Sequence, residues 1–345
     1  MAKVSRHVRR AFALPLMLAL STTVTLVPAS GKTTQAPLMI ARQGSFSAGG
    51  TVVGDANKSI HCDHGYVEYQ IPVHARKTSL FLWHSSSAQV WQQRWDGGEG
   101  YQSIFLRRGF PVYLWDGPRV GRGNWGCEDY TFKPRIGVDQ LNFWGWRFGT
   151  AKGEWFPGVQ FPKDDPAALD QAMRARYDEF DTDKNARLEA AAGAKAIDRI
   201  GPSVLVTNSA GGLRGMLAAT QSDNVKAIVA YETPAFVFPE GEGPQGPTGP
   251  IDSARVPLAD FMKLARIPIQ IVWGDNIEKT FWADAVKLTR QFVDIVNAHG
   301  GHAEILMLPS IGIAGNTHIA FADLNNVQVA EQLSLFLKRN KLDLR

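Results

Sequence analysis

Short apolar runs alternate with amphipathic stretches along most of the chain. The apolar runs are rich in Val, Ile and Leu, which is typical of buried strands, whereas the longer stretches have helical periodicity. The expected strands span 49–53, 67–73, 79–83, 110–115, 203–206, 227–231, 269–273 and 303–308. The expected helices span 101–108, 186–200, 212–220, 283–299 and 327–338. This alternation predicts an α/β fold with a mostly parallel central sheet and helices on both faces.

Two stretches do not follow the alternation. Residues 119–178 combine many Trp, Gly and charged residues, and they are interpreted as a cap-like insertion. Its aromatic residues either line a substrate pocket or attach the insertion to the core, and the sequence favours neither. Residues 239–257 are dense in Gly and Pro, which predicts a mobile loop near the pocket rim. The remaining pattern from 30 to 345 fits a single domain.

The N-terminus has the pattern of a signal peptide. Basic residues at positions 3, 6, 9 and 10 precede an uncharged run over 11–30 that Pro15 and Pro28 interrupt. A transmembrane anchor is less consistent with these interruptions. We expect residues 1–29 to be removed after Ala29, and the protein to be exported to the periplasm or secreted without stable membrane insertion.

The charge of the chain depends on that segment. The full sequence has 37 Lys and Arg against 33 Asp and Glu, and the four basic residues of the leader account for the excess. The mature protein is therefore close to neutral. This gives no support to nucleic-acid binding.

Cys62 and Cys127 are the two cysteines of the chain. In an exported protein an even pair predicts a disulfide, although two separate buried thiols would also fit. His61 and His64 flank Cys62, but the spacing of a zinc site is missing. No metal site is predicted.

The segment 204–212 reads Val-Leu-Val-Thr-Asn-Ser-Ala-Gly-Gly, an apolar strand followed by a turn of small residues and a helix. This is the outline of a nucleophile elbow, in which a sharp turn presents a serine at a helix N-terminus. Ser209 is therefore the candidate nucleophile. The usual motif is G-x-S-x-G, and Thr207 replaces its first glycine. A serine that only caps a helix is the alternative.

His318 lies in a loop between the last expected strand and the closing helix, where it can act as general base for Ser209. Two carboxylates can orient it. Glu232 follows the expected strand 227–231, and Asp275 follows the expected strand 269–273. The residues alone leave this choice open.

An oxyanion hole requires two backbone N–H groups directed at the developing negative charge. Ala210, directly after the nucleophile, is the first expected donor. The second is expected after strand 79–83, where Ser86, or alternatively Ser85, takes the place of the usual His-Gly motif.

These segments together resemble secreted bacterial esterases of the α/β-hydrolase superfamily with a Ser-Glu-His triad, whose Glu follows strand six. The likeness also covers residues 43–50, 117–123, 312–318 and 325–326. It implies an α/β-hydrolase fold and a triad of Ser209, Glu232 and His318. It makes Asp275 a structural neighbour of the triad.

The expected activity is hydrolysis of a carboxylic ester, in a small molecule or a polymer, through an acyl-enzyme and without a cofactor. An amidase, a peptidase or a lactonase would use the same residues. A non-catalytic binding protein with this fold is the alternative from a different class.

Overall fold

The computed structural model describes residues 36–345, and its elements belong to one unit, 38–345. The predicted signal peptide, 1–29, lies outside the described residues. The strands are β1 (Ile40–Asp55), β2 (Lys58–Pro72), β3 (Ser79–Trp83), β4 (Val112–Asp116), β5 (Gly149–Ala151), β6 (Glu154–Trp155), β7 (Ser203–Asn208), β8 (Val225–Tyr231), β9 (Val237–Pro239), β10 (Ala254–Val256), β11 (Pro268–Trp273) and β12 (His302–Met307).

The helices lie between these strands or follow them. They are α1 (Gln89–Gln92), α2 (Tyr101–Arg107), α3 (Val138–Gly145), α4 (Pro166–Arg174), α5 (Asp183–Ile200), α6 (Gly211–Ala219), α7 (Leu258–Ala265), α8 (Trp282–Ala298) and α9 (Asn326–Arg339). Short 3-10 turns span Ile277–Lys279, Leu308–Ile311 and Ala320–Ala322. Within residues 36–345, none of the helices is both long and apolar enough to cross a bilayer.

Eight strands form the main sheet in the order β1-β2-β4-β3-β7-β8-β11-β12. The β1–β2 and β2–β4 pairs are antiparallel, and the remaining pairs from β4 to β12 are parallel. The predicted, mostly parallel sheet is confirmed. The carboxyl ends of the parallel strands lie at one edge, which is where this class of sheet carries its sites.

The two faces of the sheet pack against separate apolar clusters. Along β3, Phe81 and Trp83 join one cluster, whereas Leu80 and Leu82 join the other. Successive side chains of a strand point to opposite faces, so a continuous apolar run supplies both cores.

The first strand is longer than predicted. The expected strand 49–53 lies in the C-terminal half of β1, which pairs with β2 along almost its whole length. Most of β1 is exposed, so its residues lack the apolar alternation that marks a half-buried strand. Asp55 closes the hairpin, because its side chain accepts hydrogen bonds from the N–H groups of Asn57 and Lys58.

The stretch 119–178 contains regular elements that the sequence analysis did not predict: α3, β5, β6 and α4. A local signal existed for α4, since Asp165 caps its N-terminus and Pro166 occupies its first turn. Several aromatic residues of this stretch serve packing, for example Trp155, which stacks on Phe161 with a ring-centroid distance of 5.4 Å.

Candidate functional site

Ser209 occupies a strained turn between β7 and α6. Its φ is +52°, a left-handed value that residues with a side chain rarely adopt. The Ser209 N–H donates to the carbonyl of Tyr231 at 2.9 Å, and the Ser209 carbonyl accepts from the Gly212 N–H at 2.9 Å. These bonds hold the turn. The serine is thereby held at the N-terminus of α6, whose first N–H groups lack helical partners.

The small residues around Ser209 are required by close packing. A Cβ on Gly212 would lie 2.4 Å from the hydroxyl oxygen of Thr233. A Cβ on Gly215 would lie 2.8 Å from the Cγ2 of Thr207. Thr207 can therefore replace the first glycine of the motif because the helix that crosses it carries a glycine at the contact.

His318 and Glu232 form a buried hydrogen-bonded pair. The Nδ1–H of His318 donates to Oε2 of Glu232 at 2.7 Å. His318 is 3% exposed and Glu232 is 1% exposed. The indole ring of Trp282 stacks on the imidazole with centroids 4.4 Å apart. The carboxylate and the indole fix the ring, and Nε2 is the ring nitrogen that does not face Glu232.

The second oxygen of Glu232 is also bound. Oε1 accepts hydrogen bonds from the Gly274 N–H at 2.7 Å and from the guanidinium of Arg147. Asp275 makes different contacts, since its carboxylate accepts from the N–H groups of Asn276 at 2.6 Å and Gly315 at 2.8 Å. Glu232 contacts the histidine, whereas Asp275 holds loop backbone.

Burial opposes the charged form of both members of the pair. Burial raises the pKa of Glu232, but the Arg147 cation and the contact with His318 outweigh it, so this pKa lies below its ordinary value. Burial lowers the pKa of His318, and the bond to Glu232 offsets this only in part. At neutral pH the pair is therefore a carboxylate and a neutral imidazole, as general-base catalysis requires.

Ser209 and His318 line one cavity of about 160 Å³ at the carboxyl edge of the sheet. Most of the lining is polar. It comprises Ser85, Ser86, Arg135, Asn142, Trp146, Arg176, Tyr177, Asp178, Glu179, Asp181, Asn208, Ala210, Ile251 and Ile319. Within residues 36–345, no three His, Cys, Asp or Glu side chains are grouped to hold a metal ion.

The three residues expected at the oxyanion hole, Ala210, Ser86 and Ser85, all line this cavity. Ala210 is the N-cap residue of α6. The Ser86 carbonyl accepts from the Tyr177 N–H at 2.7 Å, so the predicted insertion fixes the backbone of the second loop. The structure thus brings both expected donor segments to the cavity that Ser209 lines.

A buried hydrogen bond lies at the start of the Ser85–Ser86 loop. The Nε2 of His84 lies 2.9 Å from Oδ1 of Asp116, and Arg122 binds the other oxygen of that carboxylate. Burial opposes ionisation, but these two partners lower the pKa of Asp116 to about 2. Asp116 therefore stays ionised and anchors the residue that precedes the loop.

Cys62 and Cys127 form the expected disulfide, with Cα atoms 5.0 Å apart. It links β2 to the stretch 119–178. Asp63 reinforces the link, because its carboxylate binds the guanidinium of Arg119 and accepts from the Cys127 N–H. Covalent and ionic contacts therefore attach the same part of that stretch to the sheet.

The sequence analysis missed two residues that surround the histidine, Arg147 and Trp282. Arg147 is fully buried and binds Glu232, although an arginine beside Trp and Gly in an irregular stretch is ordinarily solvated. Trp282 begins α8, where an aromatic residue is ordinarily part of the core. No local signal identifies either one, because both reach the site from segments distant in sequence.

A bacterial esterase and a fungal lipase are among the proteins that this chain resembles. No family model matches the chain. A structure described as a novel bacterial esterase is 26% identical, covers 90% of this chain and 99% of its own, and superposes with a TM-score of 0.74. The probable secreted lipase phiG of Fungal sp. (strain ATCC 74256) is 25% identical over 323 residues, 79% of this chain and 85% of its own. The chain has the α/β-hydrolase fold.

Proposed function

We propose that the protein is a serine esterase that hydrolyses carboxylic esters through an acyl-enzyme. The observation that carries this proposal is a serine in a strained strand-to-helix turn that lines the same cavity as His318, which is hydrogen-bonded to the buried Glu232. The similarity to an esterase and a lipase supports the same chemistry.

In the proposed mechanism, the Oγ of Ser209 attacks the ester carbonyl carbon while Nε2 of His318 takes the hydroxyl proton. Glu232 stabilises the resulting imidazolium. The N–H groups of Ala210 and Ser86 bind the oxyanion, each contributing about 3 kcal/mol. The alcohol leaves with the proton from His318, and a water molecule then attacks the acyl-enzyme by the same route, releasing the acid and free Ser209.

The size and lining of the cavity favour small, polar esters over long acyl chains. A cavity of about 150 Å³ holds one benzene-sized molecule, and this one measures about 160 Å³. Arg176 and Asp178 lie in its wall, joined by a 2.7 Å hydrogen bond. A long alkyl chain against this wall would take the two charged groups out of water, at a cost that their mutual attraction offsets only in part. We therefore propose a short-chain esterase rather than a lipase.

We also propose that the protein is exported. A disulfide joins Cys62 and Cys127, and disulfides persist in oxidising compartments. The fungal relative is named as secreted. The basic and apolar N-terminal sequence fits the same location.

The test is hydrolysis of p-nitrophenyl esters from acetate to palmitate by the purified protein and its Ser209→Ala variant, with 4-nitroacetanilide as the matched amide. We expect kcat/KM to be highest for acetate or butyrate and to fall for longer chains. The Ser209→Ala variant should lose at least about 10⁴-fold in kcat.

Three results would contradict parts of the proposal. Faster turnover of palmitate than of butyrate would indicate a lipase. Comparable turnover of the anilide would favour an amidase. If no ester reacted and a fluorophosphonate failed to label Ser209, the non-catalytic binding protein would become the better interpretation.

A further inference from the structure

Arg147 lies deep beside the proposed catalytic pair, although it belongs to the stretch predicted to be a cap. Its side chain is fully buried. One amino group of its guanidinium donates to Oε1 of Glu232, and its Nε–H donates to the carbonyl of Asp275 at 2.6 Å. The guanidinium thus joins the acid after β8 to the backbone after β11.

The residues next to Arg147 contact the histidine side of the same site. The Trp146 carbonyl accepts from the His318 N–H at 2.9 Å. The Gly145 carbonyl accepts from Nε1 of Trp282 at 2.6 Å, and the Trp282 ring stacks on the imidazole of His318. Residues 145–147 therefore contact Glu232, His318 and the indole that packs on His318.

We infer that Arg147 is a positioning residue of the proposed esterase, which holds the Glu232 carboxylate in place and keeps the resting Glu232–His318 pair unprotonated until His318 accepts the proton of Ser209. This inference rests on the proposed function. Through Arg147, the stretch 119–178 would then affect the proton transfer and not only cover the cavity.

The charges that face the pair determine its protonation. Arg147 lowers the pKa of both Glu232 and His318. Asp323 is a buried acid near Glu232, and burial raises its pKa to about 7. On the cavity side, His318 shares the lining with Glu179, whose pKa burial raises, and with the charged residues Arg135, Arg176, Asp178 and Asp181. The Asp275 carboxylate is directed to loop N–H groups and meets Arg147 only through its backbone carbonyl.

Loss of the Arg147 charge should raise the pH at which the Glu232–His318 pair takes up a proton. The working pair carries one negative charge, and a protonated pair is neutral. Removing a nearby cation makes uptake of that proton more favourable, whichever partner receives it. The acid limb of the pH dependence of kcat/KM should therefore move to higher pH by about one unit or more. The plateau should fall about 10-fold to 100-fold, because the acid loses a fixed partner.

The experiment compares Arg147→Met, Arg147→Gln and Arg147→Lys with the wild type, using p-nitrophenyl acetate across the acid limb. Met and Gln remove the charge, and Gln keeps a hydrogen-bond donor. Both should shift the limb upward. Lys keeps the charge, so its limb should stay near the wild-type position even if its rate is lower. Arg174→Met, an exposed arginine of the same stretch, is the matched control and should change neither the limb nor the plateau.

NMR titration of the imidazole measures the pKa of His318 directly, without catalytic turnover. It also distinguishes this pKa from that of Asp323. Folded Met and Gln variants whose limb and His318 pKa both stay in place would overturn the inference. So would a Lys variant with the same shift as Met. Failure of both uncharged variants to fold would assign Arg147 to stability alone. If the wild type hydrolysed no ester, the proposed function would fail instead.

Discussion

Ser209 and Glu232 follow adjacent parallel strands, and both have a φ of +52°. Their surroundings differ. The turn at Ser209 is marked in its own segment by Gly212 and Gly215, which leave room for Thr233 and Thr207. Glu232 is bound by Arg147, Gly274 and His318, which come from three distant parts of the chain. The nucleophile turn thus has a local sequence signal, whereas the partners of the acid have none.

The largest expected effect comes from removing the charge of each of the two carboxylates that could orient His318, one at a time. Glu232→Gln removes the charge that stabilises the imidazolium, and we expect kcat to fall about 10³-fold to 10⁴-fold. Asp275→Asn weakens only the bond to the Gly315 N–H, so we expect less than about tenfold loss. The measurement is kcat on p-nitrophenyl acetate for both variants.

Fluorophosphonate labelling of Ser209 and thermal melting serve as controls for the fold of each variant. Equal losses, or a larger loss for Asp275→Asn, would assign the orienting role to Asp275. The acid that serves the nucleophile would then come from the end of β11 instead of the end of β8.

A smaller effect, on the free energy of unfolding, is expected at the contact between Gly215 of α6 and Thr207 of β7. Gly215→Ala places a methyl group against Thr207, and such overpacking costs about 1–3 kcal/mol, offset by about 1 kcal/mol of helix propensity. Thr207→Ser removes the opposing methyl group. We expect Gly215→Ala to lower the free energy of unfolding in the wild type and to raise it in the Thr207→Ser background.

Urea unfolding of the two single variants and the double variant measures this coupling, which we expect to be about 1–2 kcal/mol. Additive effects would mean that Gly215 is not needed to accommodate Thr207. The replacement of the first motif glycine would then require another explanation.

The difference between local and distant contacts also determines how much the sequence could predict. The sheet and the turn at Ser209 follow from apolar periodicity and small residues, which are local signals. The choice between Glu232 and Asp275 required a family resemblance, because each follows a strand and nothing in either segment specifies which one meets His318. Arg147 was missed because its partners, Glu232 and Asp275, lie in two distant segments. Residues 40–48 of β1 were missed because pairing with β2, rather than an apolar pattern, makes them a strand.

The smallest effect concerns the loop that carries His318, where Asp323 accepts hydrogen bonds from Asn316 and from the N–H and hydroxyl of Thr317. Burial nevertheless raises its pKa to about 7, from about 3.9 in an unfolded chain. The protonated form is favoured by folding, so this contribution to stability is complete below about pH 4 and is lost as the pH rises through about 7. Glu232 and His318 have lowered pKa values and act in the opposite direction, since their contributions are lost as the pH falls.

Asp323→Asn keeps the size of the side chain but removes its titration. The difference in melting temperature, variant minus wild type, should therefore become more positive between pH 4 and pH 8. Asp294→Asn, at an exposed position of α8, is the control and should give a flat difference. A flat difference for Asp323→Asn as well would mean that its three donors outweigh burial. The loop that carries His318 would then be held by an ionised Asp323 carboxylate, in addition to the ionised Glu232 that binds the imidazole.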